Sequence, residues 1–98
     1  MALTKALSKE LAPEGILVNA ICIGLVKSGQ WERRWEREGQ KEPLDALYAR
    51  LARERGVPVG RMAEAPELAG LVTFLASDHA AYITGAAINF DGGMAGVV

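Results

Sequence analysis

Cysteine is almost missing from this 98-residue chain. Its single copy, Cys22, lies inside an apolar run and reads as a small core residue. A disulfide framework is therefore excluded, and a reducing compartment is expected. An excess of either charge is missing too, because 11 basic residues against 12 acidic ones leave a formal charge of −1. That balance removes the electrostatic case for nucleic acid or an anionic membrane as a partner. In residues 31–38, Arg33, Arg34 and Arg37 alternate with Glu32, Glu36 and Glu38, which suits a solvated helix. No apolar run approaches the roughly 20 residues of a bilayer span, and nothing resembles a signal peptide, so a cytoplasmic location is expected. Repeats and low-complexity tracts are lacking as well. The one histidine, His79, suits the negative end of a preceding helix, and Asp91 reads as an exposed turn acid; no metal is expected. What is present, 50% apolar and 23% charged residues, is the balance of one small globular domain.

The densest apolar stretch is Ile16-Leu17-Val18-Asn19-Ala20-Ile21-Cys22-Ile23, which shows no alternation. Such a run predicts a strand covered on both faces, as in a parallel sheet. It leads into Gly24-Leu25-Val26-Lys27-Ser28. A glycine at the carboxyl end of a strand, followed by a small hydroxyl residue, is where an open α/β sheet places a ligand. Asn19 is polar within the strand. Leaving its amide buried and unpaired would cost about 1–3 kcal/mol, so a partner in a neighbouring turn is expected.

Before this strand, Leu3, Leu7 and Leu11 recur every four residues, predicting an amphipathic helix over residues 1–11. No capping residue precedes it, so the helix reads as one cut in its middle. Ala12-Pro13-Glu14-Gly15 breaks it. After the strand, Trp31 and Trp35 share a helical face, Gly39 interrupts, and Pro43 opens a helix carrying Leu44, Leu47, Tyr48 and Leu51. Gly56 ends that helix. Two short helices behind a ligand-binding strand end fit a mobile flap; the pattern alone favours a pair packed permanently on the domain. Residues 57–61 read as an extended connector. Pro66 then starts a helix with a buried stripe at Leu68, Leu71, Val72 and Leu75. Residues 86–90 form a second short strand, which a right-handed crossover would place parallel to the first.

Three blocks carry a family resemblance. The first is Leu3-Thr4-Lys5-Ala6-Leu7 with Glu10-Leu11-Ala12-Pro13 and Gly15-Ile16-Leu17-Val18-Asn19-Ala20-Ile21. The second is Pro58-Val59-Gly60-Arg61-Met62 with Glu67-Leu68-Ala69, and the third is Phe74-Leu75-Ala76-Ser77-Asp78 with Tyr82-Ile83-Thr84-Gly85 and Asp91-Gly92-Gly93. In this order and spacing they resemble the short-chain dehydrogenase/reductase family beyond its catalytic helix; residues 30–56 alone are unguided. The resemblance implies an α/β fold, the C-terminal part of a Rossmann-type doubly wound parallel sheet. Its order is helix, strand, two lid helices, helix, strand. Residues 1–98 would be a single partial domain, with a substrate lid at about residues 29–56.

The resemblance also implies hydride transfer between NAD or NADP and a small alcohol or carbonyl compound. Gly24 matches the glycine where backbone passes close to the nicotinamide ring. Val26 matches the position whose backbone meets the carboxamide, and Ser28 keeps the hydroxyl of the family's usual threonine. Ile23 replaces the family's proline, which leaves the bend less fixed. Trp31, Trp35 and Tyr48 would line the substrate pocket or else pack the lid on itself. A glycine-rich phosphate loop, the catalytic serine and the Tyr-x-x-x-Lys pair are not found in these residues: Tyr48 and Tyr82 are followed four residues later by Ala52 and Ala86. No catalytic residue is therefore assigned, and no tight cofactor binding by this chain alone is expected. An exposed apolar strand edge would favour a homo-oligomer. The alternative is a non-catalytic, self-assembling module derived from the same family.

Overall fold

The computed structural model describes residues 2–95. Helix α1 (Ala2–Leu11) passes into a 3-10 turn, Ala12–Glu14, because Pro13 lacks the amide that would continue the helical ladder. Strand β1 (Ala20–Ile23) follows, then helices α2 (Gly29–Arg37) and α3 (Leu44–Glu54). Helix α4 (Ala65–Leu75), a second 3-10 turn (Asp78–Ala80) and strand β2 (Ala87–Phe90) complete the described chain. The strands are parallel, in register from Ala20↔Ala87 to Ile23↔Phe90. This is an α/β fold with a small parallel sheet beside helices, as in part of a Rossmann-type doubly wound sheet.

β1 is shorter than the apolar run that predicts it. Ile16 N–H donates back to Leu11 C=O (3.2 Å), and Val18 and Asn19 lie opposite a turn, not a strand, and bond to it. Val18 N–H donates to Thr84 Oγ1 (3.0 Å), and Gly85 N–H donates to Val18 C=O (2.7 Å). Asn19 has the expected turn partners: Nδ2 donates to Ile83 C=O and Oδ1 accepts from Ala86 N–H, both at 3.0 Å. Coverage on both faces is not observed. Ile16, Leu17 and Ile23 are 46%, 39% and 54% exposed, since no described element packs across them. The stripe on α4 is likewise only half covered, with Val72 50% exposed and no fully buried residue on that helix. Residues 57–61 form a turn and not an extended connector, closed by Gly60 N–H on Val57 C=O (2.9 Å).

The core sits elsewhere. Leu47, Tyr48, Leu51 and Met62 form the buried cluster, and Leu25, Trp31, Trp35 and Leu44 pack against it. Three of the four buried residues belong to α3. The chain is correspondingly elongated, 54 × 24 × 22 Å with a radius of gyration of 16.7 Å. About 13 Å is expected for a compact chain of this length. Its accessible surface is 6736 Å², against about 5,400 Å² for a compact chain of its mass. Leu3, Ile16, Leu17, Ile23, Val72 and Phe74 are among the large apolar side chains left exposed.

Candidate functional site

Strand β1 ends at Ile23, and the chain crosses Gly24 with almost no clearance. Gly24 N–H donates to Phe90 C=O (2.9 Å). A Cβ on Gly24 would stand 2.8 Å from Asp91 Cβ and 2.9 Å from Asp91 Cα. Glycine is thus required by the chain's own packing at the exit of β2. Beyond it, Val26 forms a parallel bridge with Ala63. Lys27 N–H donates to Ala63 C=O and Ala63 N–H to Leu25 C=O, each at 3.0 Å. In a parallel bridge of this pattern the bonds belong to the residues flanking Val26, so its own N–H and C=O point away from Ala63. No hydrogen bond among the described residues uses them.

Ser28 caps α2 through its carbonyl, which accepts from Trp31 N–H (3.1 Å) and Glu32 N–H (3.3 Å). Its extended backbone carries the hydroxyl out of the helix, where it makes no capping bond. Ile23, Gly24, Val26 and Ser28 together line one groove of about 500 Å³, with Lys27, Gln30 and Trp31 beside them and Ala65 and Leu68 of α4 opposite. All four residues assigned to the cofactor by resemblance are brought together there. Lys27, Gln30, Ala65 and Leu68 were missed, because the groove depends on how the start of α4 meets the exit of β1, which no local pattern encodes.

The three lid candidates part company. Trp31 belongs to both groove and core. Trp35 packs against the core, its indole N–H donating to Glu42 C=O (2.6 Å). Tyr48 is 6% exposed within the core. Burial pushes the Tyr48 phenol above its ordinary pKa, and Lys27 Nζ lies 5.4 Å from its ring centroid, over the ring. The hydrogen bond that Lys27 Nζ donates to the Glu64 carboxylate raises the Lys27 ammonium pKa. Tyr82 is fully exposed and lines no part of the groove. Among the described residues, no group of three or more His, Cys, Asp or Glu side chains is arranged to hold a metal ion. No helix of the described residues is long and apolar enough to cross a membrane.

A parallel strand pair whose ligand-sized groove opens at the carboxyl end of β1 belongs to the Rossmann class of α/β sheets. A family model described as enoyl-(acyl carrier protein) reductase matches residues 1–95. The acetoacetyl-CoA reductase of Shinella zoogloeoides is 40% identical over 96 residues, covering 95% of this chain and 34% of its own. The NADPH-bound short-chain oxidoreductase of Pseudomonas aeruginosa PAO1, which contains an atypical catalytic centre, aligns with a TM-score of 0.86 at 40% identity. That alignment covers 99% of this chain and 36% of the oxidoreductase. The L-sorbose reductase of Gluconobacter frateurii, solved with NADPH and L-sorbose, aligns with a TM-score of 0.87 at 29% identity, over 99% and 37% of the two chains. The chain belongs to the short-chain dehydrogenase/reductase family. It spans about a third of the length of the curated relatives it matches.

Proposed function

We propose that this chain supplies the nicotinamide-side wall, the substrate lid and an assembly edge of an NAD(P)-dependent reductase or dehydrogenase acting on a small alcohol or carbonyl compound. The observation that carries the reading is Val26, a groove-lining residue whose backbone N–H and C=O no described residue takes up. A primary carboxamide carries the complementary acceptor and donor. Ser28 adds a hydroxyl to the same groove, and Ile23, Gly24 and the apolar faces of Trp31 and Leu68 give a flat ring something to lie against. Bound nicotinamide supplies hydride chemistry. The residues here hold and orient the ring and keep water from one side of it.

Proton supply lies outside these residues. Reduction of a carbonyl needs an acid beside the developing alkoxide. The buried Tyr48 phenol and the distant Tyr82 do not serve the groove, and no glycine-rich loop is present to anchor a pyrophosphate. Residues 1–98 thus act as one partial domain, with residues 29–56 as its lid. Alone, the chain turns over no substrate and binds dinucleotide weakly.

Assembly follows from the strand parity. Ala20 and Gly24 donate to β2, which turns the peptide groups of Ile21 and Ile23 to the other edge of β1. An uncovered edge of this kind recruits another strand, and sedimentation of the chain as a homo-oligomer at low micromolar concentration is expected. The test of function is complementation in trans with the N-terminal two thirds of a relative such as the acetoacetyl-CoA reductase. NADPH-dependent reduction that appears only in the mixture, and falls several-fold with Ser28→Ala, supports the reading. Turnover or micromolar NADPH binding by this chain alone refutes it. A second reading, a self-assembling module without a catalytic role, is favoured by the uncovered apolar surface, and a stable oligomer that never complements would establish it.

A further inference from the structure

Most of the buried side chains among the described residues lie in the lid or at its roots. Leu47 and Met62 are each 1% exposed, Leu51 3% and Ala52 0%, whereas outside the lid and its roots only Ser8 and Ala80 are buried among the described residues. The two lid helices are fastened to one another across their connection. Trp35 Nε1 donates to Glu42 C=O, and the Arg50 guanidinium holds the Glu42 carboxylate at 2.7 Å while also reaching Glu54.

Both roots are tied as well. The Val26–Ala63 bridge joins the entering and leaving strands of chain, and Lys27 Nζ pairs with Glu64 while lying over the Tyr48 ring of the core. A further mooring lies below. Val59 N–H donates to Gly92 C=O (3.1 Å), and Val57 packs so closely that a Cβ on Gly92 would fall 2.7 Å from Val57 Cγ1. Trp31 is the residue shared by this core and the groove.

We infer that residues 25–63 are a preassembled body, with its own core and both roots tied, which meets its ligand already folded and presents Trp31 as a fixed wall of the groove. A segment held only by its ends would order on binding and choose substrates by what it closes around. A body with its own core chooses by a shape set beforehand. The wall's importance for substrate rests on the function proposed above; the order of stability does not, so the two fail separately.

Amide hydrogen exchange on the whole chain, resolved residue by residue, tests it. The amides of α3 and of the Lys27–Ala63 bridge are expected to open together and to outlast those of β1 and β2, because a two-stranded sheet is marginal by itself. Leu47→Ala lowers protection throughout residues 25–63 by about thirtyfold or more, with the strand amides unchanged. Lys27→Met removes the ion pair with Glu64 and the ammonium over the Tyr48 ring and changes lid protection by no more than about tenfold, so it reports the same ordering if the core variant fails to fold. In Trp35→Phe, the fluorescence anisotropy of Trp31 decays with the tumbling of the whole body. Lid amides that exchange as fast as the strand amides overturn the inference. So does a Leu47→Ala effect confined to α3, or a Trp31 signal dominated by fast local motion.

Discussion

Gly24→Ala tests the one glycine among the described residues whose added methyl would meet a backbone atom closer than 3.0 Å. The added methyl would stand 2.8 Å from Asp91 Cβ and 2.9 Å from Asp91 Cα. Neither neighbour can give way cheaply. Asp91 Cα is backbone, locked by the Gly24–Phe90 hydrogen bond on one side. On the other, the Asp91 carboxylate accepts from Gly93 N–H and Ala95 N–H, each at 3.0 Å. Forcing a methyl into such a contact costs about 1–3 kcal/mol. In a chain of this size each kcal/mol moves the melting temperature by about 4–8 °C. Urea and thermal unfolding followed by circular dichroism measure it, with no ligand present. Gly70→Ala is the control. That site, on α4, has no atom within 4 Å of the added methyl, and the better helix former is worth up to about 1 kcal/mol of added stability there. If Gly24→Ala melts with the parent chain while Gly70→Ala behaves as stated, the close approach to Asp91 is not what requires glycine at this position.

Asn19→Ala removes both side-chain bonds to the Ile83–Ala86 turn and leaves Ile83 C=O and Ala86 N–H without that partner; a loss of about 1–3 kcal/mol in urea unfolding is expected. Trp35→Phe keeps an aromatic ring but frees Glu42 C=O, which costs about 0.5–1.5 kcal/mol by the same measurement. The Arg61 guanidinium, then the Glu64 amide, hold the Glu67 carboxyl at about 2 instead of the ordinary 4.5. The folded form favours the anion, so the stabilisation is complete above the unfolded pKa of 4.5 and is lost as pH falls from there towards 2. An acid titration of the Glu64 amide resonance reads this, and Arg61→Gln moves its midpoint up towards 4.5.

The elements that carry local signals were legible in the residues. The leucine spacing before Pro13, the proline at the start of α4 and the glycine after α3 each mark a boundary that the structure keeps. The gathering of Ile23, Gly24, Val26 and Ser28 into one groove was legible too, since strand end and helix start are consecutive in the chain. What was not legible depends on contact between distant segments. The apolar run over residues 16–23 predicts a long buried strand, yet its first half meets a turn that bonds through Thr84 and the Asn19 amide. Hydrophobicity cannot distinguish those two partners. The glycine at position 24 carries no hint that Asp91 is what crowds it. The location of the core around α3 follows from Leu25 and Met62 closing on that helix from before and after it in the chain, a long-range meeting that helical spacing alone does not announce.

The uncovered margin of β1 sets a limit on what can dock there. Only Ile21 and Ile23 direct their peptide groups outward, so a visiting strand finds a ladder barely two rungs long. A short extended peptide gains too little from so few rungs to stay. A strand that stays there has also to cover the exposed side chains of Ile16, Leu17 and Ile23, so two backbone rungs set the hold of a bare peptide and any firmer hold comes from apolar contact.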